Sequence, residues 1–320
     1  MKTLHDYLRS TKIESSLIEL VELLAETGNK ISHLVRQGAL ANILGAADSQ
    51  NIQGEDQKKL DVIANQMIKD TLINFSTVAA IASEEEDSIV PANSTGKFLV
   101  AFDPLDGSSN IDINGQIGSI FTIYPRLADL AVDNEAQFLQ PGRQQLAAGY
   151  ILYGPSTQLV MSLGKTTQCF TLDESKSTFV LTNEQMQIAK DTQEFSINMS
   201  NQRFWSEKMR HYIGELILGA SGSRGKNFNM RWNGAMVGDV HRVMMRGGIF
   251  LYPSDNRNPK QPAKLRLLYE ANPIAMLVEN AGGKALNESQ SILTIQPKAL
   301  HERVAVILGS ANEVDSCMSA

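Results

Sequence analysis

Cysteine is almost absent from this 320-residue chain: only Cys169 and Cys317 occur. Two are too few for a disulfide framework and lack metal-ligand spacing, so both read as free thiols. Nor is any apolar run long enough to span a bilayer. Met1-Lys2-Thr3-Leu4-His5-Asp6 opens into mixed polar sequence rather than a basic and then apolar leader. No membrane partner is expected, and a cytoplasmic location is. Positive charge is short too. Lys and Arg number 29 against 35 Asp and Glu, a net charge of -6, and no basic stripe offsets it, which excludes nucleic acid as the expected partner. What remains is an ordinary globular composition, 42% hydrophobic and 20% charged. The length allows one large core or two of ordinary domain size.

Ile13, Leu17, Leu20, Val21 and Leu24 recur at helical spacing, and Ile31, Leu34, Val35 and Ile43 suggest a second helix. A third amphipathic segment runs from Leu60 to Leu72. Thr77 to Ala82 and Phe98 to Phe102 read as buried strands, and Tyr150 to Leu181 as a β-rich stretch with Gly-Pro and Gly-Lys turns. After polar Thr182 to Glu194, strands are expected at Gly248 to Tyr252, Lys264 to Leu268 and Val304 to Leu308. The simplest architecture is α/β: two mixed-sheet regions, 1–187 and 188–320, meeting near residue 187.

The chemistry concentrates at strand ends. Phe98-Leu99-Val100-Ala101-Phe102 runs into Asp103-Pro104-Leu105-Asp106-Gly107-Ser108-Ser109-Asn110. The strand delivers Asp103 at its C-terminal end, where open α/β sheets place ligands. Pro104 is expected to stop ladder pairing and turn the chain, bringing Asp106 beside Asp103. Gly107, Ser108 and Ser109 then offer N–H and hydroxyl donors to a phosphate oxygen. A second strand, ending at Ala82, delivers Ser83-Glu84-Glu85-Glu86-Asp87. Alone, those acids would read as a solvated loop. Two carboxylate-tipped strands together can hold hard divalent cations, which choose oxygen ligands.

Asp103-Pro104-Leu105-Asp106-Gly107-Ser108 resembles the signature of the metal-dependent, lithium-sensitive phosphatase superfamily. The longer string from Phe102 to Asn110 is similar to that of the class I fructose-1,6-bisphosphatases. So are Lys58-Lys59-Leu60-Asp61-Val62, Asp239-Val240-His241-Arg242, Gly247 to Pro253 and Lys264-Leu265-Arg266-Leu267-Leu268-Tyr269-Glu270. The resemblance implies the sugar phosphatase fold, a layered α-β-α-β-α sandwich with most metal ligands in its N-terminal half. It implies Mg2+-dependent hydrolysis of the 1-phosphate of fructose 1,6-bisphosphate, with Mn2+ or Zn2+ able to stand in for Mg2+. Glu84, Glu85, Asp103, Asp106, Glu270 and the carbonyl of Leu105 correspond to metal ligands. Asp61 and Glu85 correspond to the pair that accepts the proton of the attacking water. Asp106, Gly107, Ser108 and Ser109 correspond to contacts near the cleaved phosphate. Asn198, Arg231, Tyr252 and Lys264 correspond to contacts with the remote sugar phosphate. Arg231 would reach a neighbouring subunit's site, implying a homotetramer. An acidic protein of this kind neutralises phosphate locally, with metal ions and a few cations.

Some positions depart from the family pattern. Trp232 stands where many members have Tyr, and Asn201 where a Tyr often contacts the remote phosphate. The glycine-rich AMP segment of AMP-inhibited members is replaced by Ile13-Glu14-Ser15-Ser16-Leu17-Ile18, while Lys97 is retained beside Phe98. Glu14 would repel a phosphate there, so AMP is expected to inhibit weakly or not at all. The cysteine-bearing insertion of chloroplast members is absent. Ala220 to Asn227 superficially matches a phosphate-binding loop but lacks its first Gly and its Ser/Thr after Lys226, and reads as a flexible surface loop. Asn93-Ser94-Thr95 and Asn198-Met199-Ser200 match the glycosylation pattern, which carries no weight without secretion. His241 reads as structural. The rival activities are sedoheptulose-1,7-bisphosphatase, alone or alongside, and a catalytically silent metabolite sensor. An inositol-type monophosphatase is disfavoured by Arg231, Tyr252 and Lys264 together.

Overall fold

The structure is a computed structural model that describes residues 1–50 and 56–320, with side chains for all of these except 48–50 and 56–57. The N-terminal half carries helices α1 (Leu4–Arg9), α2 (Ser15–Gln37) and α3 (Lys59–Ile73), with a small ribbon of β1 (Ala46–Gln50) and β2 (Asp56–Lys58) between the last two. Its main sheet comprises β3 (Val78–Ser83), β4 (Val90–Pro91), β5 (Phe98–Asp106), β6 (Ile117–Pro125), β7 (Ala147–Tyr153), β8 (Thr157–Ser162), β9 (Thr167–Asp173) and β10 (Thr178–Asn183). The eight strands lie in the order β10-β9-β8-β7-β6-β5-β3-β4. Every pairing is antiparallel except β3 with β5.

The remainder holds β11 (Glu194–Ser196), α4 (Glu207–Leu218), β12 (Asn229–Met230), α5 (Met236–Arg246), β13 (Ile249–Tyr252), β14 (Leu265–Arg266), α6 (Asn272–Asn280), β15 (Lys284–Leu286), β16 (Arg303–Val304), β17 (Val306–Gly309) and α7 (Ala311–Ser319). Five of its strands form a second sheet in the order β12-β11-β13-β17-β15. Three clusters of buried side chains give the layering. One joins α1, α2 and α3 to the large sheet through residues such as Leu20, Ile68 and Phe102. Another packs α5 and α6 between the sheets, with Val237 and Ile274 beside Tyr150 and Phe250. The last covers the outer face of the small sheet with α4 and α7 through Ile213, Leu251 and Val314. The order is α-β-α-β-α, as expected, and the middle layer belongs to both sheets. No helix among the described residues is long and apolar enough to cross a membrane.

Four local expectations are corrected. The two helices expected after Ile13 are one 23-residue helix, Ser15–Gln37. Gly28 lies inside it, facing β7: a Cβ there would stand 2.0 Å from Ile151 Cδ1, so the missing side chain lets the helix lie close to the strand. Pro104 does not end pairing: β5 runs on to Asp106 through an irregularity, Asp103 opposite Ile120 and Asp106 opposite Gly118. This is a bulge, which re-aims side chains next to a site. Lys264 to Leu268 is a strand only at Leu265–Arg266, followed by a π-helical turn over Leu267–Ala271. Val304 to Leu308 is split at Ala305 because Val304 pairs with β14 whereas Val306 onward pairs with β13.

Candidate active site

Parallel pairing of β3 with β5 puts Ser83 opposite Phe102, so Glu84 and Asp103 leave the sheet at the same level. The Glu84 N–H donates to the Phe102 carbonyl at 3.1 Å. The bulge sets Asp106 beside Asp103, and the π turn before α6 brings in Glu270. Carboxylate oxygens of Asp103, Asp106 and Glu270 lie within 4.8 Å of one another. Asp61, in the first turn of α3, accepts the Lys58 N–H at 3.0 Å. All of these side chains except the half-buried Glu85 are buried. They wall one end of a cavity of about 500 Å³ that Leu105 also lines.

Backbone donors hold the acids in place. Asp106 Oδ2 accepts the Val237 N–H at the start of α5 at 2.6 Å, a partner favoured by the helix dipole. Leu105 N–H donates to Asp103 Oδ1 at 2.9 Å, and Arg266 N–H to Glu270 Oε2 at 2.6 Å. The Arg266 guanidinium meets Glu84 Oε1 at 2.6 Å and stands 4.0 Å from Glu270. Six carboxylates line the cavity against two cations, Lys264 and Arg266. Burial raises Asp61 to about 7, with Glu85 and Glu84 adding repulsion. It raises Asp106 to about 7 and Glu270 to about 8, in both cases with Glu84 adding to it. Asp103 is pushed well above the usual range by burial and then by Glu84, Asp106 and Glu270. Such a set is short of positive charge, and its all-oxygen donors suit a hard divalent cation. The residues present fit a metal.

The turn after β5 follows. Gly107 has φ +82°, and a Cβ on it would stand 2.3 Å from the Ala235 Cβ, so only glycine allows the turn to abut the start of α5. Ser108 and Ser109 follow in a short 3-10 turn, Ser109 exposed, both lining the cavity. Asn198, half-buried Tyr252 from the end of β13, and exposed Lys264 line the same cavity. Asn198 Oδ1 accepts from the Ser200 hydroxyl at 2.7 Å and its N–H at 3.2 Å. Arg231 is the one expected site residue not among those lining this cavity. It is exposed, and its guanidinium donates to the Met230 carbonyl at 3.1 Å. Asn201 is buried beside Asn198 and Tyr252.

Sequence reasoning assigned no role to Arg266 or to the start of α5. Arg266 lies between Leu265 and Leu267, four residues before Glu270. A cation between buried apolar neighbours must find an acid, and that was its signal. Trp232 lines the cavity, stacked on Phe250 at 6.3 Å with 6° between planes. The segment Ala220 to Asn227 does not form a phosphate loop: Arg224 pairs with both Glu313 oxygens at 2.9 and 2.8 Å, and Lys226 donates to the Thr192 carbonyl. Its ion pair contrasts with the flexible loop expected. His241 is half-buried against the Tyr150 hydroxyl at 2.8 Å and lowered to about 4 by desolvation. Another cavity, of about 470 Å³ beside Trp205 and Met209, carries none of the six acids.

Models for the fructose-1-6-bisphosphatase N-terminal and C-terminal domains match residues 3–184 and 188–320. The chain is 62% identical over 319 residues to the class 1 fructose-1,6-bisphosphatase of Cellvibrio japonicus, covering 100% of this chain and 99% of that one. It is 58% identical to the Shewanella loihica protein of the same name, over 99% of this chain and 96% of that one. The holo form of Leishmania major fructose-1,6-bisphosphatase superposes with a TM-score of 0.94 at 36% identity, covering 99% and 98% of the two chains. Fold and likeness together define a hydrolase of phosphate monoesters. The chain belongs to the class 1 fructose-1,6-bisphosphatase family.

Proposed function

We propose that this cavity binds fructose 1,6-bisphosphate with its 1-phosphate at the carboxylate end and its 6-phosphate toward Lys264, releasing fructose 6-phosphate and phosphate. The observation that carries the reading is the buried cluster of Asp103, Asp106 and Glu270, oxygens within 4.8 Å, in a cavity that Lys264 and Tyr252 also line. These three, with Glu84, Glu85 and the Leu105 carbonyl, would hold Mg2+, or Mn2+ or Zn2+ in its place. A bound ion supplies charge neutralisation for the phosphate and acidifies a water. Asp61 and Glu85 accept the proton of the attacking water; a base near 7 is matched to neutral operation. Gly107, Ser108 and Ser109 orient the 1-phosphate oxygens, and Asp106 orders the start of α5 against them.

Asn198, Tyr252 and Lys264 hold the remote end. Arg231, exposed and outside its own cavity, would complete a neighbour's site in a homotetramer. The same reading places the enzyme in the cytoplasm and divides the chain near residue 187 into a metal-bearing half and a substrate-bearing half. Phosphate release from fructose 1,6-bisphosphate should be rapid with Mg2+ and abolished by chelation, then restored by added metal. Full turnover after exhaustive chelation would overturn the reading.

A further inference from the structure

Asp239 lies outside the cavity wall, yet several donors from the cavity's elements converge on it. Its side chain is buried in the first turn of α5. Oδ1 accepts the Ser196 hydroxyl at 2.8 Å, the Asn233 N–H at 2.9 Å and the Asn233 side-chain amide at 3.4 Å. Oδ2 accepts the Gly234 N–H at 3.2 Å. These partners belong to different parts of the cavity. Ser196 ends β11, two residues before Asn198. Asn233 and Gly234 directly follow Trp232. The Asn233 carbonyl in turn receives Asn110 Nδ2 at 3.1 Å, from the turn that carries Ser108 and Ser109. Trp232, Gly234 and Asn198 all line the cavity.

Every hydrogen-bond partner of the carboxylate is a donor. Burial lifts Asp239 to about 6 while the Asn233, Ser196 and Gly234 bonds pull it back, so it stands ionised at neutral pH and accepts from all of them. Charge-assisted bonds of this kind are about twice as strong as neutral ones.

We propose that Asp239 is the positioning residue for the substrate end of the cavity, fixing the Trp232–Gly234 loop and the end of β11 in one arrangement. It touches neither substrate nor metal, and acts through Trp232, Gly234 and Asn198. The inference rests on the reading of that end as the sugar-phosphate side. A buried acid that only stabilised the fold would loosen everything alike, whereas a positioning acid moves one loop and one kinetic constant.

Asp239→Asn separates the two. An amide keeps the shape and can still satisfy the donors on Oδ1, but it then turns its NH2 toward the Gly234 N–H, donor against donor. The chain has two tryptophans, Trp205 and Trp232, so 5-fluorotryptophan labelling gives two 19F resonances, which Trp232→Phe assigns. In Asp239→Asn the Trp232 resonance should move or broaden while that of Trp205 stays. KM for fructose 1,6-bisphosphate should rise about tenfold, the factor one charge-assisted hydrogen bond carries. Turnover and half-saturating Mg2+ should stay within about twofold, because uniform binding is lost rather than transition-state binding. Ser196→Ala, which removes one bond and keeps the acid, should act in the same direction more weakly, and it carries the test if Asp239→Asn does not fold. An unchanged Trp232 resonance, an equal shift of both resonances, or an unmoved KM would each overturn the proposal. Failure of the underlying functional reading shows separately, as an unlabelled wild-type enzyme that does not hydrolyse the bisphosphate.

Discussion

At the carboxylate end of the cavity, side chains are buried and backbone N–H groups of Val237, Leu105 and Arg266 tie them down. Among the residues expected to meet the remote phosphate, Lys264 is exposed, Tyr252 is half-buried, and Arg231 is exposed and not among those lining the cavity. One end is thus preorganised within a single chain, with its repulsion held in raised pKa values awaiting a cation. The other is a set of exposed or half-buried side chains that a ligand must gather. Chemistry needs fixed geometry to fractions of an ångström, whereas recognition of a distant phosphate tolerates long, mobile cations. The contrast predicts that damage at the first end strikes turnover and damage at the second strikes binding.

The sharpest way to break that contrast is Asp61→Asn. The amide preserves the shape and cannot take a proton, so kcat should fall by about 10²–10⁴-fold, the usual contribution of a positioned base, with KM little changed. Steady-state kinetics on the folded variant check this; near-normal kcat would leave Asp61 a helix-capping residue only.

Arg231→Ala should do the reverse. A bond felt equally in ground and transition states moves KM and leaves kcat nearly alone. KM should rise by about one to two decades, the worth of one or two charge-assisted bonds. Mixing Asp61→Asn protomers with Arg231→Ala protomers sharpens the point. In hybrid oligomers some sites with an intact Asp61 would regain an arginine from a neighbour, and tighter binding with it. Verified hybrids without rescue would remove the intersubunit part, and an unmoved KM the phosphate role.

A smaller effect follows from the raised carboxyls. Asp61 and Asp106 near 7 and Glu270 near 8 lie above the ordinary range of about 4. Between about pH 4 and 8 the metal-free native state therefore binds more protons than the unfolded chain. Its stability from these groups is greatest at the acid end and is lost as pH rises through the folded values. Mg2+ should cancel that loss, so the gap in Tm between Mg2+ and chelator should widen steadily from pH 5 to pH 8. A gap independent of pH in scanning calorimetry would refute the assignment.

How legible all this was in the sequence divides along the same line. Strand-end acids could be read because local sequence makes them: an apolar run followed by Asp103 and Asp106, another followed by Glu84 and Glu85. The manner of their meeting could not, since the bulge in β5 and the π turn under Glu270 depend on partner strands and on α6. The close approach of α2 to β7 at Gly28, where a Cβ would strike Ile151, could not be read either. Arg266 and Asp239 went without roles because a buried charge is recognisable only once its partners are known. The layered fold was visible through the family resemblance more than through periodicity, which joined Val304 to Leu308 across a change of sheet. Arg231 is the residue whose expected role a single chain explains least, since it does not line the cavity.

The smallest expected effect is on AMP, and it turns on a cation used differently from Lys264. Lys264 makes no hydrogen bond or ion pair among the described residues, and so is available to an anion. Lys97 is already engaged: its Nζ donates to Glu14 Oε1 at 2.5 Å, and the Ser16 hydroxyl donates to the same oxygen at 2.7 Å. Lys97 and Ser16 together keep the Glu14 carboxyl below its ordinary range, so it remains charged throughout the neutral region. Two donors that could serve a phosphate thus already hold an internal anion. Breaking the pair is not the obstacle, since exposed ion pairs are weak. The obstacle is that the carboxylate stays and repels the phosphate, and AMP carries nearly two negative charges there. Wild-type activity should therefore be nearly insensitive to AMP, while Glu14→Gln, which removes the charge and keeps the size, should become measurably more sensitive. Inhibition of the wild type at low micromolar AMP would show that a nucleotide site has been rebuilt from other residues. Equal insensitivity in Glu14→Gln would show that the missing glycine-rich turn, rather than the charge, is what excludes the nucleotide.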